Sequence, residues 1–355
     1  MALVSFVLGL GLLVLGAELL VRGASKLALT FGISPLVVGL TVVAFGTSAP
    51  EVAVSVQSAT SGQTEIAVGN VVGSNIFNVL FILGLSALIT PLLVNRQLIR
   101  QEVPVMAAIS LLMAAMTWDG EVSRIDGLFF IALLAAYTVF VIVQSRRSEP
   151  EDQTADSSTP GWDSKLPVQL ILIAAGLGML VLGAQWLVAA AVTFATYLGV
   201  SEMIIGLTIV AAGTSLPEVA TSVMAAIRGE RDIAVGNVVG SNIFNLLGVL
   251  GLTAAVAPGG LVVPPAMIAF DIPVMLAVAF ACLPIFFTGN LIARWEGGLF
   301  FALYVGYTTY LILAAQQHDA LSTYGFVMGT VVLPLCALTV VIIAWREWQS
   351  RHRSS

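Results

Sequence analysis

Two segments of the chain carry the same pattern, Gly-Thr-Ser-x-Pro-Glu. One holds Gly46, Thr47, Ser48, Pro50 and Glu51, the other Gly213, Thr214, Ser215, Pro217 and Glu218. Each begins about 12 residues into an apolar run, roughly 18 Å along a helix and therefore near the middle of a bilayer. Proline lacks a donor and clashes with the preceding turn, so each helix is predicted to break there and free carbonyls beside the hydroxyls and the carboxylate. Hard oxygens of this kind suit Na⁺ or Ca²⁺ and not a soft transition metal. A carboxylate inside a membrane is costly and functional by default. Two of them close together cannot both stay ionised without a cation or a proton, and a single Ca²⁺ balances both.

A second block, Gly69-Asn-Val-Val-Gly-Ser-Asn-Ile-Phe-Asn78, recurs without change as Gly236 to Asn245. Ser74 and Asn78 are four residues apart and share a helical face, as do Ser241 and Asn245. Their neutral oxygens could complete a coordination shell. Asn75 and Asn242 suit an interhelical hydrogen bond at least as well as ligation, and Gly69, Gly73, Gly236 and Gly240 are spaced for close helix packing.

The elements that must position these residues follow from composition. Of 355 residues, 58% are apolar and 10% charged, with a mean hydropathy of +1.01. Soluble domains carry about 25% charged residues, so a soluble enzyme, a disordered chain and a nucleic-acid binder are excluded. Cys282 and Cys336 lie in apolar runs and suggest no disulfide framework; His318 and His352 sit near helix ends and offer no histidine metal cluster. Runs long enough to span a bilayer lie near 3–25, 33–60, 66–90, 103–118, 125–145, 167–195, 201–227, 233–257, 268–287, 296–316 and 322–345. The reading is an all-α integral membrane protein with eleven spans. No basic residue precedes the first run, which reads as a helix with its N-terminus outside rather than a signal peptide. Thirteen of the 14 Lys and Arg residues then fall inside, the exception being Arg124, and the C-terminus is inside. The polar stretch 146–165 reads as a solvated acidic linker on the inner side.

Residues 32–86 and 199–253, offset by 167, are identical at 35 of 55 positions. The offset also carries Gly9, Gly11 and Gly16 onto Gly176, Gly178 and Gly183, and Arg124-x-Asp126-Gly127 has a counterpart in Arg294-x-Glu296-Gly297. The repeat therefore covers five helices, an odd number, so the two copies enter the membrane from opposite sides. The expected organisation is a first five-helix repeat over 1–145, a linker over 146–165, a second repeat over 166–316, and an extra C-terminal helix with a basic tail over 317–355. Inverted repeats suit alternating access to one midplane site.

These paired blocks resemble the α-repeats of the cation/Ca²⁺ exchanger superfamily, specifically its bacterial sodium/calcium antiporters, over about 1–316. The resemblance implies a central site formed by Thr47, Ser48, Glu51, Thr214, Ser215 and Glu218, with Ser74, Asn78, Ser241 and Asn245 and the carbonyls of Ala44 and Ala211. It implies that the first and sixth helices slide as gates. It also implies a bacterial inner membrane, transported Ca²⁺ and Na⁺ with no tightly bound cofactor, and no nucleic-acid or protein partner. Many relatives carry Asp at the position of Asn78 or Asn245; here both are Asn, so the site holds two fixed negative charges. The linker is too short for the regulatory calcium-binding domains of animal exchangers.

The expected function is Na⁺/Ca²⁺ antiport, with Ca²⁺/H⁺ antiport by the same fold as the alternative. An intramembrane protease is disfavoured because no His lies near Ser48 or Ser215 to act as base. A passive channel differs in allowing flux without a counter-ion. Among the remaining polar residues, Glu18 is placed for an i,i+4 ion pair with Arg22. Asp126 and Glu296 suit helix N-termini, and Glu102 and Asp271 are given the same reading. Trp162, Trp345 and Trp348 suit the membrane interface.

Overall fold

The computed structural model describes residues 2–147, 163, 165–198, 209 and 211–353. The architecture is helical. In chain order the first half contains α1 (Ala2–Phe31), α2 (Pro35–Thr47), α3 (Ala49–Thr60), α4 (Thr64–Ile89), α5 (Leu98–Met116) and α6 (Arg124–Arg147). The second half contains α7 (Leu166–Tyr197), the short α8 (Ala211–Gly213), α9 (Leu216–Ile227), α10 (Arg231–Val256), α11 (Met267–Phe287) and α12 (Arg294–Ala315), followed by α13 (Ala320–Ile343). Among the described residues nine helices are long and apolar enough to cross a membrane, or ten when α2 and α3 are taken as one bent span. The seventh of the eleven expected spans, 201–227, falls partly outside the described residues, as do Trp162 and most of the linker. The side chain of Trp348 is likewise outside them, and Trp345 is exposed.

α1 and α7 are 30 and 32 residues long, about 45 Å and 48 Å, so they must tilt or project beyond a hydrocarbon core of about 30 Å. They run antiparallel in backbone contact. A Cβ at Gly9 would lie 2.9 Å from the Gly183 carbonyl, and one at Gly16 would lie 2.8 Å from the Gly176 carbonyl. No side chain fits between them, which accounts for Gly9, Gly16, Gly176 and Gly183; Gly11 and Gly178 face open space.

The halves are interlocked. α6 of the first packs on α10 of the second, where a Cβ at Gly127 would come within 2.6 Å of the Gly251 carbonyl. The same contact is repeated between α12 and α4, through Gly297 and Gly84 at 2.7 Å. Two short strand pairs also join the halves. β1 (Leu92–Leu93) pairs with β4 (Leu291–Ile292), and β2 (Glu121–Val122) with β3 (Leu261–Val262), all antiparallel. These ladders were not foreseen from the hydropathy pattern, because two residues per strand leave no periodic signal. Gly236 and Gly240 meet the backbone of Leu36 and Leu40 as expected; the residues matched to these, 203 and 207, lie outside the described residues.

Three polar expectations need correction or refinement. Glu18 pairs with Arg228, while Arg22 pairs with Asp163 at 2.8 Å, so the anticipated Glu18–Arg22 pair gives way to tertiary partners. A local i,i+4 pair contributes only about 0.3–0.5 kcal/mol and is easily outcompeted. Asp126 and Glu296 do cap their helices, accepting from the Ser123 and Ala293 amides at 2.8 Å. Glu102 and Asp271 do not act as caps. Glu102 is buried and accepts from Tyr137 Oη at 2.7 Å and Gln97 Nε2 at 2.9 Å, and Asp271 accepts from Tyr307 Oη at 2.7 Å. Each ends a wide i→i+5 turn, Leu98–Glu102 or Met267–Asp271, which carries the chain on into helix and leaves no bare N-terminus to cap.

Candidate ion-binding site

The bend between α2 and α3 is 44°, and it falls at Ser48, whose φ/ψ of −81°/9° leaves the helical region. Ser215 adopts −89°/8° at the equivalent break between α8 and α9. Pro50 and Pro217 sit in the first turns of the helices that follow, where a missing amide costs nothing, and Glu51 and Glu218 lie in those same turns. Each carboxylate is therefore at the positive end of a half-helix, which favours its charge.

The halves meet through reciprocal contacts. Ser48 Oγ donates to Glu218 Oε1 at 2.9 Å, and Ser215 Oγ donates to Glu51 Oε1 at 2.8 Å. The seryl hydroxyl of one break thus holds the carboxylate of the other. Ser74 Oγ lies 3.3 Å from Ser215 Oγ. Thr47 Oγ1 lies 3.1 Å from the Val43 carbonyl and 3.2 Å from Asn237 Oδ1, and Thr214 Oγ1 lies 3.4 Å from Asn70 Oδ1. All of these except the half-buried Asn70 and Thr214 are buried.

α4 and α10 supply the other walls and cross at their asparagines. Asn78 Nδ2 donates to Asn242 Oδ1 at 3.0 Å and Asn245 Nδ2 donates to Asn75 Oδ1 at 3.2 Å. Asn75 and Asn242 also exchange bonds with one another's carbonyls at 3.4 Å, so they serve the interhelical role. The consequence for Asn78 and Asn245 is that the amide nitrogen is used and the oxygen is left over. Wide turns begin at these two residues, Asn78–Leu83 and Asn245–Val249, where the carbonyl ladder loosens.

Glu51 Oε2, Glu218 Oε2, Asn78 Oδ1, Asn245 Oδ1 and Ser241 Oγ are buried and have no hydrogen-bond partner among the described residues. Buried polar atoms are ordinarily paired. Here the two amide oxygens are pure acceptors, the two carboxyl oxygens are acceptors when ionised, and all belong to the two repeated motifs. Ala44 fits its expected part less simply, since its carbonyl accepts the Ser48 amide at 3.1 Å and lies 3.4 Å from Thr47 Oγ1. Ala211 opens α8. Among the described residues no group of three or more His, Cys, Asp or Glu assembles, so a soft or carboxylate-rich metal centre is not present there.

Two residues missed in the sequence stand behind the threonines. Asn237 Nδ2 donates to Ser222 Oγ at 2.9 Å, and Asn70 Nδ2 donates to Ser55 Oγ at 2.9 Å, which fixes the amide oxygens near Thr47 and Thr214. The available signal was their place in the identical block, four residues before Ser241 and Ser74 on the same face.

An all-helical integral membrane protein with paired broken helices, whose polar breaks meet one another, is a transporter architecture. The chain belongs to the sodium/calcium exchanger protein family, whose profile matches residues 1–143 and 168–313. It is 41% identical over 279 residues to the inner membrane protein YrbG of Escherichia coli, covering 77% of this chain and 85% of that one. It is 33% identical to the sodium/calcium exchanger MaX1 of Methanosarcina acetivorans, covering 86% and 96%. Among solved structures, the sodium-calcium exchanger NCX_Mj soaked with 10 mM Na⁺ and zero Ca²⁺ superposes with a TM-score of 0.74 at 31% identity, over 86% of this chain and 96% of that one.

Proposed function

We propose that the protein is an antiporter that exchanges Na⁺ for Ca²⁺ by alternating access at the site between the two breaks. The observation that supports this most is the set of buried, unpartnered oxygens of Glu51, Glu218, Asn78, Asn245 and Ser241. Ca²⁺ takes six to eight oxygens and Na⁺ also prefers oxygen. The hydroxyls of Thr47, Ser48, Thr214, Ser215 and Ser74 and the carbonyls of Ala44 and Ala211 supply further oxygens, so a full shell can be drawn from this set. Two carboxylates neutralise one Ca²⁺ or two Na⁺, so the loads compete for one charge and cannot be carried together.

The proposed arrangement is eleven spans, with repeats over 1–145 and 166–316 in opposite orientations, the N-terminus outside and the C-terminus inside. The thirteen-to-one distribution of basic residues supports it. The likeness to the sodium/calcium exchanger MaX1 supports Na⁺ over H⁺ as the driving ion. The test is ⁴⁵Ca²⁺ uptake into proteoliposomes loaded with Na⁺, K⁺ or H⁺. Uptake driven by internal Na⁺ is expected; uptake that follows only a pH gradient would replace Na⁺ by H⁺ in this reading.

A further inference from the structure

Were the halves of an inverted repeat identical, exchanging their conformations would produce two states of equal energy, one closed at each end. The structure is in one such state. On the second half of α1, Leu27 is 6% exposed, whereas its repeat counterpart Phe194 on α7 is 62% exposed. On α9, which α1 packs along, Thr221 is 0% exposed, while its counterpart Val54 on α3 is 36% exposed. Pro217 and Thr221 form a covered stripe on α9 that is less covered at Pro50 and Val54. Among the described residues, the end of the molecule at the C-terminus of α1 is therefore shut, and the opposite end is the more open.

We propose that a polar cluster at the shut end is a latch that biases the protein toward this state. Glu18 on α1 pairs with Arg228 at the end of α9. One to two turns further along α1, Ser25 Oγ donates to Glu230 Oε1 at 2.8 Å, and Arg22 pairs with Asp163 at 2.8 Å. The first two contacts tie α1 to the α9–α10 turn, which must part if α1 lifts from α9. At the other end the repeat places Gln185, Ala189 and Val192 on α7 opposite Ser61 and Gln63 after α3, and no ion pair is possible among them. The latch is thus a difference between two otherwise matched gates. Each contact is partly exposed, and such pairs shift an equilibrium by about two- to five-fold, enough to bias a cycling carrier without locking it. This inference depends on the paired-halves fold and goes beyond the assignment of the transported ions.

Reactivity of an added cysteine in detergent, where reagent reaches both ends, tests it without any ion flux. In a Cys282→Ala/Cys336→Ala background, Thr221→Cys reports the shut gate and Val54→Cys the open one. Arg228→Gln is expected to raise the rate of Thr221→Cys modification by an impermeant maleimide about two- to five-fold and to lower that of Val54→Cys. The exchanged pair Glu18→Arg/Arg228→Glu is expected to restore the parental rates. Met224→Cys and its mirror Gln57→Cys report the same gates if Thr221→Cys does not yield monodisperse protein. An unchanged rate at the shut gate, or a rise at both gates together, would overturn the latch. Loss of Na⁺-driven Ca²⁺ uptake with the labelling pattern intact would instead count against the ion assignment alone.

Discussion

Replacing either glutamate by glutamine is the sharpest perturbation of the proposed site. In Glu218→Gln the amide oxygen can still accept from Ser48, as Oε1 does now at 2.9 Å, so the fold keeps its cross-link. The amide nitrogen then takes the place of the unpartnered Oε2 and aims a donor where a cation ligand is needed. Glu51→Gln does the same opposite Ser215. The lost charge interaction is about 4 kcal/mol per unit charge at 4 Å with an effective dielectric of about 20, and about twice that for a divalent ion. If the retained oxygen and local relaxation return half, about 4 kcal/mol remains, or roughly a thousand-fold in Ca²⁺ affinity. The assay is ⁴⁵Ca²⁺ exchange in proteoliposomes at matched protein content, with thermal unfolding as the check on folding. Because the two contacts are reciprocal, both variants are expected to fail alike. Near-normal exchange by either one would refute the charge argument.

Transport is expected not to require K⁺, because Glu51 and Glu218 sum to −2 and Asn78 and Asn245 add no charge; a flux that vanishes when choline replaces K⁺ and returns with K⁺ would contradict this. A C-terminal alkaline phosphatase fusion is expected to be inactive, and activity in the periplasm would reverse the proposed orientation. Gly16→Leu is expected to destabilise the protein by several kcal/mol or prevent folding, since even a Cβ there lies 2.8 Å from backbone of α7, beyond the usual overpacking cost of about 1–3 kcal/mol; an unchanged melting temperature would count against the α1–α7 contact. The Arg22 guanidinium holds the Asp163 carboxyl below its usual range, so its contribution is full above the ordinary carboxylate pKa of about 4 and is lost as pH falls through the lowered value. The melting difference between wild type and Asp163→Asn should accordingly be present at neutral pH and close in acid; a difference that grows on acidification would reverse the sign.

Hydropathy and repetition are local properties, and they determined the helical membrane class, the limits of most spans to within a few residues, and the two breaks at Ser48 and Ser215. The need for a proline to end a turn and for charge to avoid hydrocarbon acts on a few consecutive residues, so those features are written in the chain. The same logic brought Glu51, Glu218 and their neighbouring hydroxyls forward as one set, since a motif repeated across an inversion must meet itself. Which atom of each side chain is left without a partner was settled only by tertiary contacts. Asn78 and Asn245 surrender their nitrogens to the other repeat, Ser48 and Ser215 reach across to the opposite glutamates, and Asn70 and Asn237 fix the threonines behind them. Glu18 and Arg22, adjacent on one helix face, were drawn apart by Arg228 and Asp163. A side chain with several possible partners takes the one that packing brings nearest, and that choice depends on residues more than 140 positions away. The different exposure of the matched positions Leu27 and Phe194 belongs to the same class, because a repeat makes two positions equivalent in the chain and only packing tells them apart.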